Sequence, residues 1–278
     1  MIADFFEYFS LKPILRAFLA FIISGASFPV VGVFIVTMDL IPLRFALMHG
    51  ALLGGVIGII LNFNNIIFPL LTCLVIILTL GPLSERFKVG LSNISAFFMM
   101  FTVAIAFILI DKKNISYQDA FNVFWGNIFA LSNFDILSLL IMTIIIIIFL
   151  ITSFNKITAI LFNRDVAFTI GINSKFFYYL VLTITGCVVA VSIKIIGALL
   201  VDCLLVLPAI AALYFARSIK GLFIKAVLIG LISSILGFII SIFFKLQPSP
   251  AVTVVSTTMI LLFYFLYNVK ILWRKQNV

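Results

Sequence analysis

Charge is scarce in this sequence, and acid is the scarcer sign. Only 10% of the side chains are charged, with nine Asp and Glu against 18 Lys and Arg. Soluble domains carry about a quarter charged residues, so a water-facing surface of ordinary extent has little to be built from. There is one histidine, His49, and there are three cysteines. Cys73, Cys187 and Cys203 stand far apart in apolar runs. That excludes metal-type or redox-type spacing and leaves small packing residues. Catalytic signatures are missing too. No H-E-x-x-H, no G-x-S-x-G and no paired intramembrane aspartates occur, so an intramembrane enzyme has little to work with. The phosphate loop G-x-x-x-x-G-K-S/T is also absent, so ATP hydrolysis by that route needs another chain. The opening MIADFFEYF lacks the basic stretch and small-residue cleavage site of a signal peptide. No soluble domain, linker or low-complexity tail is expected.

What the sequence does have is apolar length. It is 65% hydrophobic, with a mean hydropathy of +1.37. Runs such as ILSLLIMTIIIIIFLI do not alternate, which excludes a barrel and leaves helices as the way to satisfy backbone groups in lipid. The expected fold is therefore an all-α polytopic membrane protein in one domain over residues 1–278. Its spans fall at 14–38, 44–61, 65–82, 91–110, 135–154, 175–194, 196–216, 221–244 and 251–270. That predicts nine helices, or eight if two short spans fuse. Residues 1–12 read as a short amphipathic stretch at the interface.

Net charge is +9, but the basic residues are scattered at helix ends, which points to orientation in a membrane and away from nucleic acid. One side collects Arg44, Arg86, Lys88, Lys156, Arg164, Lys175, Arg217, Lys220, Lys225, Lys270, Arg274 and Lys275. The other collects Lys12, Arg16, Lys112, Lys113 and Lys245, together with Asp4, Glu7, Asp111, Asp119 and Asp135. Lys194 is left near a helix end. The positive-inside rule then sets the N-terminus outside and the C-terminus in the cytoplasm.

Two loops are longer than the rest. The outer one, 111–134, has an apolar second half that can form a short helix on the membrane face. The inner one, 155–174, reads as a short amphipathic helix with Asn163 or Asp165 as N-cap and Gly171 as a stop. Such a helix is either a packing element or the part that a soluble partner pushes against.

The most unusual stretch is IIGALLVDCLLVLPAIAALYFARS, Ile195 to Ser218. It is apolar for about 20 residues, enough to cross a bilayer as one helix. Asp202 and Cys203 sit inside it, ahead of Pro208, which loosens the helix beside it. A carboxylate at that depth costs a few kcal/mol, so it faces a partner or a wet cavity.

Several local patterns now line up in order. They are GASFPVVGVFIV (Gly25 to Val36), ALMHGALLGGVIG (Ala46 to Gly58), WGNI (Trp125 to Ile128), RDVAFTIGI (Arg164 to Ile172) and IIGALLVDCLLVLPAIAA (Ile195 to Ala212). Together they resemble the permease subunits of ABC importers for zinc, manganese and iron(II), the ABC-3 family. The resemblance covers most of the chain. It implies a permease of the bacterial plasma (inner) membrane that dimerises, pairs with two copies of a separate cytoplasmic ATPase and accepts metal from an extracytoplasmic binding protein. ATP is then the partner's, and no cofactor is held covalently. By the same resemblance the inner loop is the coupling segment, with Arg164, Asp165, Ala167, Phe168, Ile170 and Gly171 as its residues and Phe168 and Ile170 docking.

His49, taken alone, reads as a hydrogen-bonded packing residue. The resemblance implies instead a place on the translocation path, beside an aspartate one turn earlier. Here that position is Phe45, which cannot ligate, and Met48 stands where the family has serine. Asp39 and Leu40 replace a basic pair, and Pro248–Ser249–Pro250 is one glycine short of the family's turn. Asp202 and Cys203 occupy positions that are usually small or apolar. Either Asp202 replaces the missing carboxylate and forms a pathway site with His49 and Cys203, or it pairs with Lys194 or a helix hydroxyl. Imidazole, carboxylate and thiolate suit zinc, and the first two alone also admit manganese or iron(II). The competing function is a secondary transporter with Asp202 as proton carrier, although no inverted repeat is visible.

Overall fold

The computed structural model describes residues 11–62, 66–118, 120, 125–126 and 128–276. Ten α-helices run through them: α1 Lys12–Thr37, α2 Ile41–Ile60, α3 Ile67–Phe87, α4 Leu91–Lys112, α5 Asn133–Phe162, α6 Arg164–Thr169, α7 Ser174–Ile196, α8 Ala198–Leu213, α9 Ile219–Phe243 and α10 Pro248–Gln276. A single 3-10 turn, Ile128–Ala130, marks the outer loop. Residues 1–10, with the expected interfacial stretch, Asp4 and Glu7, lie outside the described residues, as does Asp119.

All but α6 and α8 are long and apolar enough to cross a membrane, eight helices in number. α8 corrects one expectation. Ile195–Ser218 is not one continuous helix: the chain breaks at Gly197, with φ +87°, and α8 has only 16 residues. At 1.5 Å per residue that is about 24 Å, so crossing the roughly 30 Å hydrocarbon core takes the turn after α8 as well. Pro208 sits within α8 without ending it. A second boundary moves as well. α5 continues eight residues past the expected 154 because Ser153, Ile157 and Ile160 extend its buried stripe at helical spacing. The inner loop therefore shrinks to α6 and its two flanking turns.

The chain gathers into two compact units. One takes in the described residues through Val36, Phe129–Ile136 and those from Leu199 onward; the other takes in Thr37–Ile128 and Leu137–Ala198.

In the first unit α1 and α9 lie antiparallel. Phe18 and Phe21 meet Phe238 with ring centroids 5.5 and 5.0 Å apart, and Phe34 meets Phe223 at 5.3 Å. Between these aromatic ends the backbones close up. A Cβ on Gly25 would stand 2.9 Å from the Gly230 carbonyl oxygen and run into the Ser234 hydroxyl. Pro29 has no N–H to give the Gly25 carbonyl, and that carbonyl faces α9 at Gly230. Small residues are how membrane helices approach closely enough for dispersion to hold them. α8 runs parallel to α10. Cys203 lies beside Val252, and further along Tyr214 meets Tyr264 at 5.7 Å and Phe215 meets Phe263 at 5.4 Å. Short as it is, α8 with the turn after it keeps pace with the apolar stretch of α10, Pro248–Tyr267.

In the second unit α2 packs against α3, α4 and α7. Gly54 lets α3 in at Phe68 and Thr72. Leu53 and Val56 of α2 share an apolar cluster with Ala106 and Ile110 of α4 and with Ala120.

The α1–α9 contact gives a direct test. Gly25→Leu should cost about 1–3 kcal/mol of overpacking strain and lower the unfolding temperature of the detergent-purified protein. Gly90→Ala, which has open space around it, serves as control. Equal unfolding temperatures for both variants would show that α1 and α9 do not close on Gly25.

Candidate functional site

The polar side chains in the spans divide into those that serve packing and those that do not. Ser24 and Ser27 turn back onto the carbonyls of Ala20 and Ile23 at 2.7 and 2.8 Å. Ser233 and Ser241 do the same on Gly230 and Phe238 at 3.1 and 2.7 Å. A serine satisfied on its own helix behaves as a small residue. Four other polar side chains in the spans, Arg44, His49, Asp202 and Cys203, stand apart by their chemistry.

His49 sits in the middle of α2, and its Nδ1 lies 2.8 Å from the Phe45 carbonyl one turn earlier. A carbonyl can only accept, so Nδ1 carries the proton in this contact, and a metal ion would have to take Nε2. The position that could not ligate through its side chain thus orients the imidazole through its backbone. Two neighbours on α3 brace the same stretch of α2. Thr72 Oγ1 donates to the Gly50 carbonyl at 2.8 Å, and Cys73 Sγ to the Leu47 carbonyl at 3.3 Å. Sequence reasoning missed this brace. Its only trace was a Thr-Cys pair in an otherwise apolar span.

Arg44 was counted in the sequence only as an orienting charge, yet it is 5% exposed. Its guanidinium carbon lies 4.4 Å from the centroid of the Phe45 ring, a cation–π contact. A cation so drawn inside is a part of the α2 structure, not a loop label.

Asp202 is half-buried on α8, with Oδ1 sealed from solvent. Cys203 is 4% exposed and turns toward α10, where Sγ lies 3.9 Å from the Val252 carbonyl with the Thr253 and Ser256 hydroxyls beside it. His49 belongs to one compact unit, and Asp202 and Cys203 to the other. Among the described residues, no three His, Cys, Asp or Glu side chains are grouped to hold a metal ion.

The inner segment is sharply defined. Asn163 Oδ1 accepts from the Val166 N–H at 3.2 Å and caps α6. The chain turns at Gly171, with φ +83°, where the Ile172 N–H reaches the Ala167 carbonyl at 3.0 Å. Asn173 then caps α7 by accepting from the Phe176 N–H at 3.1 Å. Ala167 is fully buried, whereas Phe168 is 72% and Ile170 63% exposed. Lys156 of α5 lies over the Phe177 ring of α7 at 5.2 Å, fastening the two helices that flank α6. The side chains of Arg164 and Asp165 lie outside the described set.

Between α4 and α5, the Trp125–Gly126 backbone lies against Gly197, where α7 ends. Ser132 and Asp135 start α5 with a reciprocal cap: Asp135 Oδ2 accepts from the Ser132 N–H at 2.9 Å, and the Asp135 N–H reaches the Ser132 hydroxyl at 3.2 Å. Arg16 of α1 donates to the Leu131 carbonyl at 3.1 Å. The Asp111 carboxylate accepts the Tyr117 hydroxyl and holds that phenol above its ordinary value of 10.0.

Long apolar helices fitted together by small residues, with a few ionisable groups drawn inward, define a polytopic α-helical membrane protein. The model of the ABC 3 transport family matches residues 10–268, and the chain belongs to that family. It is 25% identical over 234 residues to the high-affinity zinc uptake system membrane protein ZnuB of Haemophilus influenzae, covering 84% of this chain and 90% of that protein. It is 24% identical over 252 residues to the manganese transport system membrane protein MntC of Halalkalibacterium halodurans, covering 90% and 86%. The solved structure of PsaBC from Streptococcus pneumoniae in complex with Fab superposes with a TM-score of 0.84 at 21% identity, covering 95% of each chain.

Packing of Cys203 against α10 predicts its reactivity. In a Cys73→Ala, Cys187→Ala background, a membrane-permeant maleimide should leave Cys203 unmodified in the folded protein and modify it after denaturation. Rapid labelling in the folded protein would put Cys203 on a hydrated surface.

Proposed function

We propose that this chain is the permease of an ATP-binding-cassette importer for a divalent metal ion, zinc, manganese or iron(II). A separate cytoplasmic ATPase powers it, and transport proceeds by alternating access. The observation that carries this reading is family membership over residues 10–268. Relatives named for zinc uptake and for manganese transport support the choice of cargo. The sequence supports a separate motor, since it has no phosphate loop.

In this reading residues 1–278 form one permease domain in a bacterial plasma membrane. Two copies pair, two ATPases bind from the cytoplasm, and an extracytoplasmic binding protein delivers the ion. The basic residues near 86–88, 156–175 and 217–225 mark the cytoplasmic side. The contact between Gly126 and Gly197 agrees with that orientation, because it joins the outer loop to the end of α7 that charge counting also assigns outside.

α6 is the proposed coupling element, through Arg164, Asp165, Ala167, Phe168, Ile170 and Gly171. Its buried Ala167 seats it on the permease, and its exposed Phe168 and Ile170 offer apolar anchors to the ATPase. The Asn163 cap and the turn at Gly171 make it stiff, and a stiff lever transmits displacement where a slack loop would absorb it. His49 Nε2 and the Asp202 carboxylate are the proposed donors to the ion in transit. Cys203 is proposed with Asp202 as a softer donor, whose thiol must leave the Val252 carbonyl to bind. None should bind tightly, because the ion has to leave.

Two measurements test this. Phe168→Ala with Ile170→Ala should reduce capture of the ATPase by about tenfold or more, as for loss of two interface anchors, while the permease stays folded. His49→Ala and Asp202→Ala should each lower zinc, manganese or iron(II) uptake into vesicles with ATPase capture unchanged. Uptake that persists when the ATPase is inactivated would overturn the importer reading in favour of a gradient-driven carrier.

A further inference from the structure

Gly126 and Gly197 are 71 positions apart in the sequence, yet their backbones touch. A Cβ on Gly126 would stand 2.5 Å from the Gly197 amide nitrogen and 2.8 Å from its Cα. A Cβ on Gly197 would run into the Trp125 carbonyl oxygen. Both residues also take positive φ, +67° and +87°, where a side chain would be strained. Two independent reasons therefore demand glycine at each position, and the contact exists only because both are met. The approach of Gly25 to Gly230 joins two helices in mid-span; here backbone meets backbone at a break in a helix. That break is where α7 ends, its last turn closed by the Gly197 N–H on the Ile193 carbonyl at 2.9 Å. It is also where α8 begins, five residues before Asp202.

We propose that Gly126 and Gly197 form a backbone latch that makes residues 125–126 and the α7–α8 junction a single moving part. The two glycines are then positioning residues for α8, the helix carrying Asp202 and Cys203. The contact has no side chain to rotate away and no room for a water, so displacement of residues 125–126 is passed to residue 197. The Trp125 side chain is half exposed, giving the latch a handle on the outer surface. A push there shifts the point from which α8 starts. This role for α8 in transport rests on the importer reading; the mechanical coupling does not.

Hydrogen exchange of the purified full-length chain in lipid nanodiscs tests the coupling. In the unaltered protein the segments around 126 and 197 should lose protection at the same urea concentration, as one cooperative unit. Gly126→Ala should speed exchange by roughly tenfold or more, the scale of one strained backbone position, at both 125–126 and 196–199. Gly197→Ala should do the same, and Gly90→Ala should do neither. Loss of protection at different urea concentrations, or acceleration confined to the mutated segment, overturns the latch; the urea measurement decides even if a variant fails to fold. In vesicles holding the ATPase, Gly126→Ala should lower uptake of zinc or manganese per folded permease by about tenfold, with ATPase capture unchanged. Unchanged turnover overturns the positioning role. Absence of uptake by the wild-type protein would instead count against the importer reading, leaving the exchange result to decide the latch.

Discussion

Inside a bilayer no water is present to satisfy a polar group, and every feature of this chain follows from that constraint. Helices take up the backbone, and hydroxyls fold back onto those helices. Thr102 bonds the Phe98 carbonyl at 2.7 Å and Thr185 the Val181 carbonyl at 2.8 Å, in the same manner as the buried serines. Once silenced in this way, serine and threonine act as spacers. Together with glycine they set how closely helices approach, because lipid tails compete evenly with leucine and isoleucine for apolar contact. Gly25 against Gly230, and Gly54 against Phe68, are where that closeness is achieved.

The few groups that cannot be silenced gain significance by the same logic. His49 is turned by the Phe45 carbonyl, α2 is braced by Thr72 and Cys73, and Arg44 lies over an aromatic ring. All of this falls within one stretch of α2, so a histidine that would read as incidental becomes a fixed one. Asp202 is half-buried with Oδ1 sealed from solvent, and its neighbour Cys203 faces α10. Adjacent residues on a helix point about 100° apart, which explains why two side chains that read as a pair in sequence face different surroundings.

At its two faces the chain places short, stiff features. α6 is capped by Asn163 and closed by the turn at Gly171, plugged by Ala167 and bordered by the Lys156–Phe177 contact. Residues 125–126 are held against Gly197, and the chain opens into α5 through the Ser132–Asp135 cap. For a protein read as converting a partner's motion into an opening, rigidity at the contact points is the mechanical requirement, and both faces meet it with backbone geometry and small side chains.

Much of this was legible from the residues alone. Apolar length set the helices, because lipid leaves no alternative, and the ordered motifs around His49, Gly126, Ala167 and Gly197 carried the family. Asn163 and Gly171 marked the ends of α6 because capping is local chemistry. The sequence could not tell that α8 stops at 16 residues, since hydropathy measures composition and the break at Gly197 is a matter of φ. It could not tell that Arg44 is buried, because a charge near a helix end looks the same whether it orients the chain or enters the core. Nor could it bring Gly126 to Gly197, since contact between segments 71 positions apart is made by the packing of the helices between them. Composition and local pattern determined what the chain is made of and where it must lie; only tertiary structure decided which backbones touch, because close approach depends on geometry that no single segment contains.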